Sequence, residues 1–333
     1  MKLHTGQFPE APCFHSLVFT QNSESWRDIS EVLTSFGREI VEGAQRIIRR
    51  LESTPLTRSG LLFPSMLEHI CKVSQFDGQK LRTAWKALYL YSMHLDNAMD
   101  EDYEIHPFEH IASTALLVVA LRELRLAVAG SIYEDSLKKH LMRAISGQAR
   151  DASFRSNPPS DSAELVRASI DKNFHLVALA TAYTARANSK EASAIAFAEA
   201  IIPAIQYLDD VTDVESDLRC GSRTYLIYKS GIDVHESTKV RSDQLGSLLS
   251  SNALIDVLME AKSAIERALL SVEFDGPNIA ATGPFALFCN MRIILNAVII
   301  DLKRLKNEHI NGRQFAYIEV ELRQIFQKLA FSS

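Results

Sequence analysis

The chain is poor in the residues that build anything other than helices. Its four cysteines, Cys13, Cys71, Cys220 and Cys289, are scattered, with no CxxC pair and no histidine at zinc-ligand spacing. That excludes a disulfide-stapled scaffold and a common structural zinc site, and it fits free thiols in a reducing cytosol. Only 13 glycines and 10 prolines punctuate 333 residues, so turns are few and strand-like alternation is rare. Long apolar runs are lacking too. The longest, Ala115 to Leu121, is stopped by Arg122 and Glu123, far short of the roughly 18 residues that span a bilayer. The N-terminal stretch MKLHTGQFPEAPCFHSLVF has a proline and an acid where a secretory leader needs continuous apolar residues, so no export is expected. Basic excess is absent as well: the net charge is −5 and the pI about 6.1, which argues against nucleic acid as a partner.

What is present is helical periodicity. Met291, Ile294, Leu295, Val298, Ile299, Leu302 and Leu305 recur at the spacing of one helix face. Similar patterns predict helices over about 25–51, 61–73, 78–101, 107–129, 132–154, 161–187, 190–217, 237–271, 280–308 and 312–330, with a loop over 221–234. Pro203 marks either a kink or a helix start. The expectation is an all-α protein: an irregular segment over 1–24, then one domain over 25–333 formed by a single bundle of about ten helices. The 47% hydrophobic content suffices for its core.

The chemistry concentrates in AIQYLDDVTDVESDLRCGSRTYL, Ala204 to Leu226. Asp209, Asp213 and Asp217 recur at i, i+4 and i+8, and like charges so spaced repel by a few tenths of a kcal/mol per pair, on the order of the usual helix pair. An acidic run is ordinarily a solvated face. Here Ile201, Ile202, Ile205, Tyr207 and Leu208 lead directly into it, which would carry the aspartates, Asp210 included, toward an apolar interior. Carboxylates crowded there need a cation, and Mg²⁺ takes such oxygen ligands while keeping waters that a phosphate can replace. A second cluster, YLYSMHLDNAMDED from Tyr89 to Asp102, repeats the design, with Asp96 and Asp100 one turn apart. Two such clusters on separate helices predict a two-sided metal clamp for a diphosphate. His94 reads either as a residue orienting a carboxylate or as a satisfied core histidine, and the latter is the expectation.

These residues resemble the trans-isoprenoid synthases: prenyl diphosphate synthases, class I terpene cyclases and squalene/phytoene synthases. The resemblance covers roughly Arg82 to Leu226. Asp96, Asn97 and Asp100 match the first DDxxD motif with asparagine in second place, and Asp209, Asp210 and Asp213 match the second. Gln206 falls where the prenyl synthases carry glutamine, and Lys172 looks like the lysine of their KT motif. RTAWKALYLYSMHLDNAMDE and DVESDLRCGSRTYL are similar to phytoene synthase motifs instead. The basic GKRxRP motif of elongating enzymes is absent, since Arg58 to Pro64 reads RSGLLFP with Leu61 and Leu62 in the basic positions. The arginine pair after the first motif is also missing from Tyr103 to Pro107.

The resemblance implies a helical bundle around a central cavity and Mg²⁺-assisted ionisation of a prenyl diphosphate, with three Mg²⁺ once substrate is bound. The metal ligands implied are Asp96, Asn97, Asp100, Asp209, Asp210, Asp213 and Asp217, with Asp96, Asp100, Asp209 and Asp213 catalytic. Lys172, Arg219, Arg223 and Gln206 would hold the diphosphate. An apolar wall is expected from Phe63, Tyr91, Ser92, Phe174, Tyr183 and Phe288, because aromatic faces stabilise a carbocation kept from water. Without the cations for a second diphosphate, the expected reaction is cyclisation of one prenyl diphosphate by a terpene synthase. Chain elongation, head-to-head condensation and a non-catalytic partner subunit are the alternatives. A homodimer is what the resemblance implies, and the scattered cysteines give a cytoplasmic location as the expectation. Substrate length and product are not legible.

Overall fold

The computed structural model describes residues 26–51, 62–99, 105–157, 159, 161–187, 193–234, 240, 242–272, 284–311 and 315–332. Among them it forms fifteen α-helices, which makes the protein all-α as the periodicity predicts. The chain divides into two compact units, Met1–Leu61 with Arg82–Glu123, and Leu62–Leu81 with Leu124–Ser333.

In the first unit, α1 (Arg27–Leu33) runs into a single 3₁₀ turn, Thr34–Phe36. Gly37 follows at φ +112°, a conformation that L side chains rarely adopt, so the predicted helix over 25–51 is split and α2 (Arg38–Leu51) starts afresh. The unit also takes residues of α4 (Gln75–Met99) and α5 (Pro107–Val128). Ile29, Leu33, Ile47, Leu51, Trp85, Leu90, Leu116 and Val119 are buried there. Lys86 fastens α1 to α4, with Nζ 2.9 Å from both carboxylate oxygens of Asp28.

The second unit contains α3 (Phe63–Cys71), α6 (Glu134–Ser156), α7 (Ser162–Lys172), α8 (His175–Ala185), α9 (Ser193–Thr212), α10 (Val214–Cys220) and α11 (Tyr225–Ser230). It continues with α12 (Ser242–Ser250), α13 (Ala253–Leu270), α14 (Ala286–Ile310) and α15 (Phe315–Ser332). Every residue of α8 from Leu176 to Thr184 is buried, so this helix is enclosed on all sides. Its two threonines turn their hydroxyls onto carbonyls one turn back, Thr181 to Val177 and Thr184 to Ala180, both at 2.8 Å. The most extensive pairing in the unit is α9 along α13. Pro203 lies inside α9, which decides between a kinked helix and a helix start in favour of an interior proline.

Three further predicted helices are each two. Asn173 and Phe174 separate α7 from α8, Asp213 separates α9 from α10, and Ser251 with Asn252 separates α12 from α13. Asn252 has φ +65°, one of the few non-glycine residues to visit that region readily. The predicted loop over 221–234 holds α11.

Candidate functional site

The second acidic run is built by helices of the second unit alone. α9 ends at Thr212 and Asp213 is the N-cap of α10, yet the i→i−4 bonding hardly breaks. The Asp213 amide donates to the Asp209 carbonyl at 3.0 Å, and the Asp217 amide to the Asp213 carbonyl at 2.9 Å. Asp209, Asp213 and Asp217 therefore stand on successive turns, as the spacing predicts. Their environments differ: Asp209 and Asp217 are half-buried, Asp213 is exposed, and Asp210 is only 3% exposed.

Burial pushes the Asp210 carboxyl up to about 6, against the opposing pull of a Gln206 hydrogen bond, the Lys172 charge and the Leu226 amide. Nε2 of Gln206 donates to Oδ1 of Asp210 at 2.8 Å. Oδ2 of Asp210 is buried and has no hydrogen-bond partner. Asp217 is also driven well above the usual carboxylate range, chiefly by burial and then by the charges of Asp210, Asp213 and Asp209. Burial and the nearness of like charges both favour the protonated form of these carboxyls.

Lys172 ends α7 and is half-buried. Its Nζ lies 3.3 Å from Oδ2 of Asp151 on α6, whose Oδ1 accepts from Ser169 at 3.1 Å. Its charge is felt at both Asp210 and Asp217. The lysine is delivered here by close helix contact, because a Cβ on Gly147 of α6 would stand 2.3 Å from the Lys172 backbone nitrogen. Any larger residue at 147 would push the end of α7 away. Asn173, next in sequence, donates Nδ2 to Oε1 of Gln206 at 3.1 Å.

Other sequence-predicted residues fall less centrally. Arg219 and Arg223 are exposed, and Arg219 Nε donates to the Glu215 carbonyl at 3.3 Å within its own helix. Phe63 stacks on Phe197 with centroids 6.1 Å apart, and Phe288 meets the same ring at 6.1 Å. Phe174 is buried under the Arg143 guanidinium, 3.5 Å above its ring. Tyr183 is fully buried, its hydroxyl 3.0 Å from Oε1 of Glu68.

In the first unit, Asp96 and Asn97 are half-buried near the end of α4, and Asp100 lies outside the described residues. Tyr91 and Ser92 are half-buried on the same helix, with burial raising the Tyr91 phenol. His94 is buried as expected, but neither ring nitrogen has a hydrogen-bond partner. Its ring faces that of His110 edge-on at 5.7 Å. Its neighbour Glu109 is fully buried and 3.1 Å from Arg50, an ion pair whose angles fall short of a hydrogen bond. Burial lowers the His94 pKa; the Glu109 charge opposes this, while the charges of His110 and Arg50 reinforce it.

Asn173, Asp151, Gly147, Phe197 and Phe285 lie against the sequence-predicted residues or their neighbours, and periodicity did not single them out. Asn173 carried one legible signal, its place directly after Lys172. Phe197, which gathers Phe63, Phe285 and Phe288 around it, looked like any core position. Among the described residues no three histidine, cysteine or acidic side chains converge as a ready-made metal cage, and no helix is long and apolar enough to cross a membrane.

No protein-family model and no curated protein matches the chain. Among solved structures it is similar to geranylgeranyl pyrophosphate synthetase from Pyrococcus horikoshii Ot3, with a TM-score of 0.64 and 17% identity over 84% of this chain and 98% of that one. The geranylgeranyl pyrophosphate synthetase from the archaeon Geoglobus acetivorans matches with a TM-score of 0.64 and 16% identity, covering 83% of this chain and 99% of that one. The chain therefore has the isoprenoid synthase fold.

Proposed function

We propose that the protein is a Mg²⁺-dependent enzyme that ionises an allylic prenyl diphosphate. The observation that carries this is Asp210, a buried carboxylate with one oxygen unpartnered, set among three more aspartates and within the field of Lys172. A cation there would relieve the crowding and use the free oxygen, so the donor set fits a hard divalent metal. Asp209, Asp210, Asp213 and Asp217 are the proposed ligands from the second run, and Asp96, Asn97 and Asp100 those from the first. Bound Mg²⁺ supplies neutralisation of the charge that grows on the leaving diphosphate. Lys172 adds a fixed positive charge for the same diphosphate, held ready by Asp151. Gln206 holds Asp210 so that one oxygen stays available.

For the fate of the ionised chain, the fold likeness favours transfer to a second prenyl substrate over the cyclisation expected from sequence, since both solved structures named above are geranylgeranyl pyrophosphate synthetases. One observation keeps cyclisation as a second reading: leucines at 61 and 62 and no arginine pair over Tyr103 to Pro107 leave a second diphosphate short of cations. Incubating the purified protein and Mg²⁺ with geranyl, farnesyl or geranylgeranyl diphosphate, with and without isopentenyl diphosphate, separates the two. Release of diphosphate from none of them would overturn the enzyme reading.

A further inference from the structure

A relay of side-chain amides connects the end of α7 to the buried aspartate of α9. Nδ2 of Asn173 donates twice, to the Ser169 carbonyl at 3.1 Å and to Oε1 of Gln206 at 3.1 Å. Nε2 of Gln206 then donates to Oδ1 of Asp210 at 2.8 Å. The relay begins and ends on groups that only accept: a backbone carbonyl at one end and a carboxylate at the other. Its direction is therefore fixed. The atom of Asn173 that faces Ser169 must be its NH₂, that NH₂ requires an oxygen from Gln206, and Gln206 is left to present its own NH₂ to Asp210. Both hydrogens of the Asn173 amide group are used, so neither amide can turn over without losing a bond.

The consequence falls on Asp210. Gln206 engages Oδ1, and Oδ2 is left buried with no hydrogen-bond partner. An unsatisfied buried acceptor costs stability unless a ligand uses it. We propose that Asn173 is a positioning residue which, by locking the Gln206 amide, holds Asp210 with Oδ2 presented to a divalent cation carrying a diphosphate. This rests on the reading of the second acidic run as a metal site and adds a residue to it from outside the run. With Asn173 removed, the Gln206 carbonyl loses its donor, so the Gln206 side chain is no longer held between α7 and Asp210 and the carboxylate loses a fixed donor on Oδ1.

Groups that orient a metal ligand typically cost about 10 to 100-fold in metal affinity when lost. The test is calorimetric titration of full-length protein with Mg²⁺ in the presence of inorganic diphosphate, using wild type, Asn173→Ala, Gln206→Ala and the double variant. Asn173→Ala is expected to weaken binding about tenfold, and the double variant should bind no worse than Gln206→Ala, because Asn173 acts only through Gln206. A structural role confined to the Ser169 carbonyl would give effects that multiply, and that result overturns the proposal, as does wild-type affinity in Asn173→Ala. Asn173→Leu gives an independent arm if Asn173→Ala fails to fold. It keeps similar volume without adding charge but has no amide to donate to Gln206, and should weaken binding comparably; unchanged binding in it also overturns the proposal. Absence of Mg²⁺–diphosphate binding in folded wild type would sink the metal reading itself, a result distinct from a wild type that binds and an Asn173 variant that binds equally well.

Discussion

The Lys172 ammonium stands 3.3 Å from Oδ2 of Asp151, on a different helix from the aspartates whose charge it tempers. A lysine at a helix end is ordinarily free to sweep through solvent. This one is half-buried, held by Asp151, and set in place by the close approach of Gly147 to its backbone. Its position is thus a product of α6 as much as of α7.

Two variants should therefore impair the same step by different routes. Lys172→Ala removes a charge-assisted contact and should slow diphosphate release by about 10 to 1000-fold with little loss of stability. Gly147→Ala keeps the lysine but forces the helices apart, and should lower the melting temperature as overpacking does, by about 1 to 3 kcal/mol of stability. Steady-state kinetics beside thermal melts check both. Wild-type kinetics in Lys172→Ala would leave the residue only its structural pairing with Asp151.

The metal requirement gives a second prediction. Asp209→Ala and Asp96→Ala should each abolish turnover while the far-ultraviolet circular dichroism stays helical, and excess EDTA should stop the wild-type reaction. Turnover that persists in EDTA would exclude the role given to the aspartates.

A third concerns the co-substrate. If chain transfer is the reaction, labelled isopentenyl diphosphate should be incorporated into a longer prenyl diphosphate. Hydrocarbon or alcohol formed from a single prenyl diphosphate would instead select the cyclase reading, and the leucines at 61 and 62 would then explain why.

Much of this was legible because helical period and charge spacing are local. The i, i+4, i+8 aspartates needed only the chain's own repeat, and they kept their register even though the helix breaks at Asp213. The break at Asn173 was hidden, and so were the bonds its side chain makes there, back to the Ser169 carbonyl and across to Gln206. An asparagine in a helical pattern carries no mark of that. His94 was expected to be hydrogen-bonded, and the pattern of apolar neighbours could not reveal that it meets an imidazole edge rather than an acceptor. Phe174 reads as an aromatic wall in sequence, and only the fold sets Arg143 over its face.

The last prediction follows from the proton affinity of Asp210. Its folded-state pKa is raised to about 6 from an ordinary value of 3.8, mainly by burial. A carboxyl shifted upward stabilises the fold when protonated: the contribution is present below the unfolded value and is lost as pH rises through the folded one. Metal-free protein should therefore lose stability between about pH 4 and 6 from this group, with Asp217, shifted in the same direction, adding to the slope. His94 works in the opposite sense. Its lowered pKa means that stability is lost as pH falls below its unfolded value of 6.5. The two slopes can mask each other in wild type, so the informative quantity is the difference between wild type and Asp210→Asn. An asparagine oxygen can still accept from Gln206, while its amide group takes the place of the unpartnered Oδ2. Removing the charge should gain about 3 kcal/mol near pH 7, offset by about 1 to 2 for the buried donor left without an acceptor. We therefore expect metal-free Asp210→Asn to be about 1 to 2 kcal/mol more stable than wild type at pH 7, and less stable or equal at pH 4, where the wild-type carboxyl is protonated. Urea unfolding at the two pH values, with and without Mg²⁺ and inorganic diphosphate, measures this. Added Mg²⁺ and diphosphate should reverse the order at pH 7 by stabilising wild type alone. Equal pH slopes in the two proteins would mean that Asp210 is ionised in the fold without cost, and its free oxygen would then need no cation.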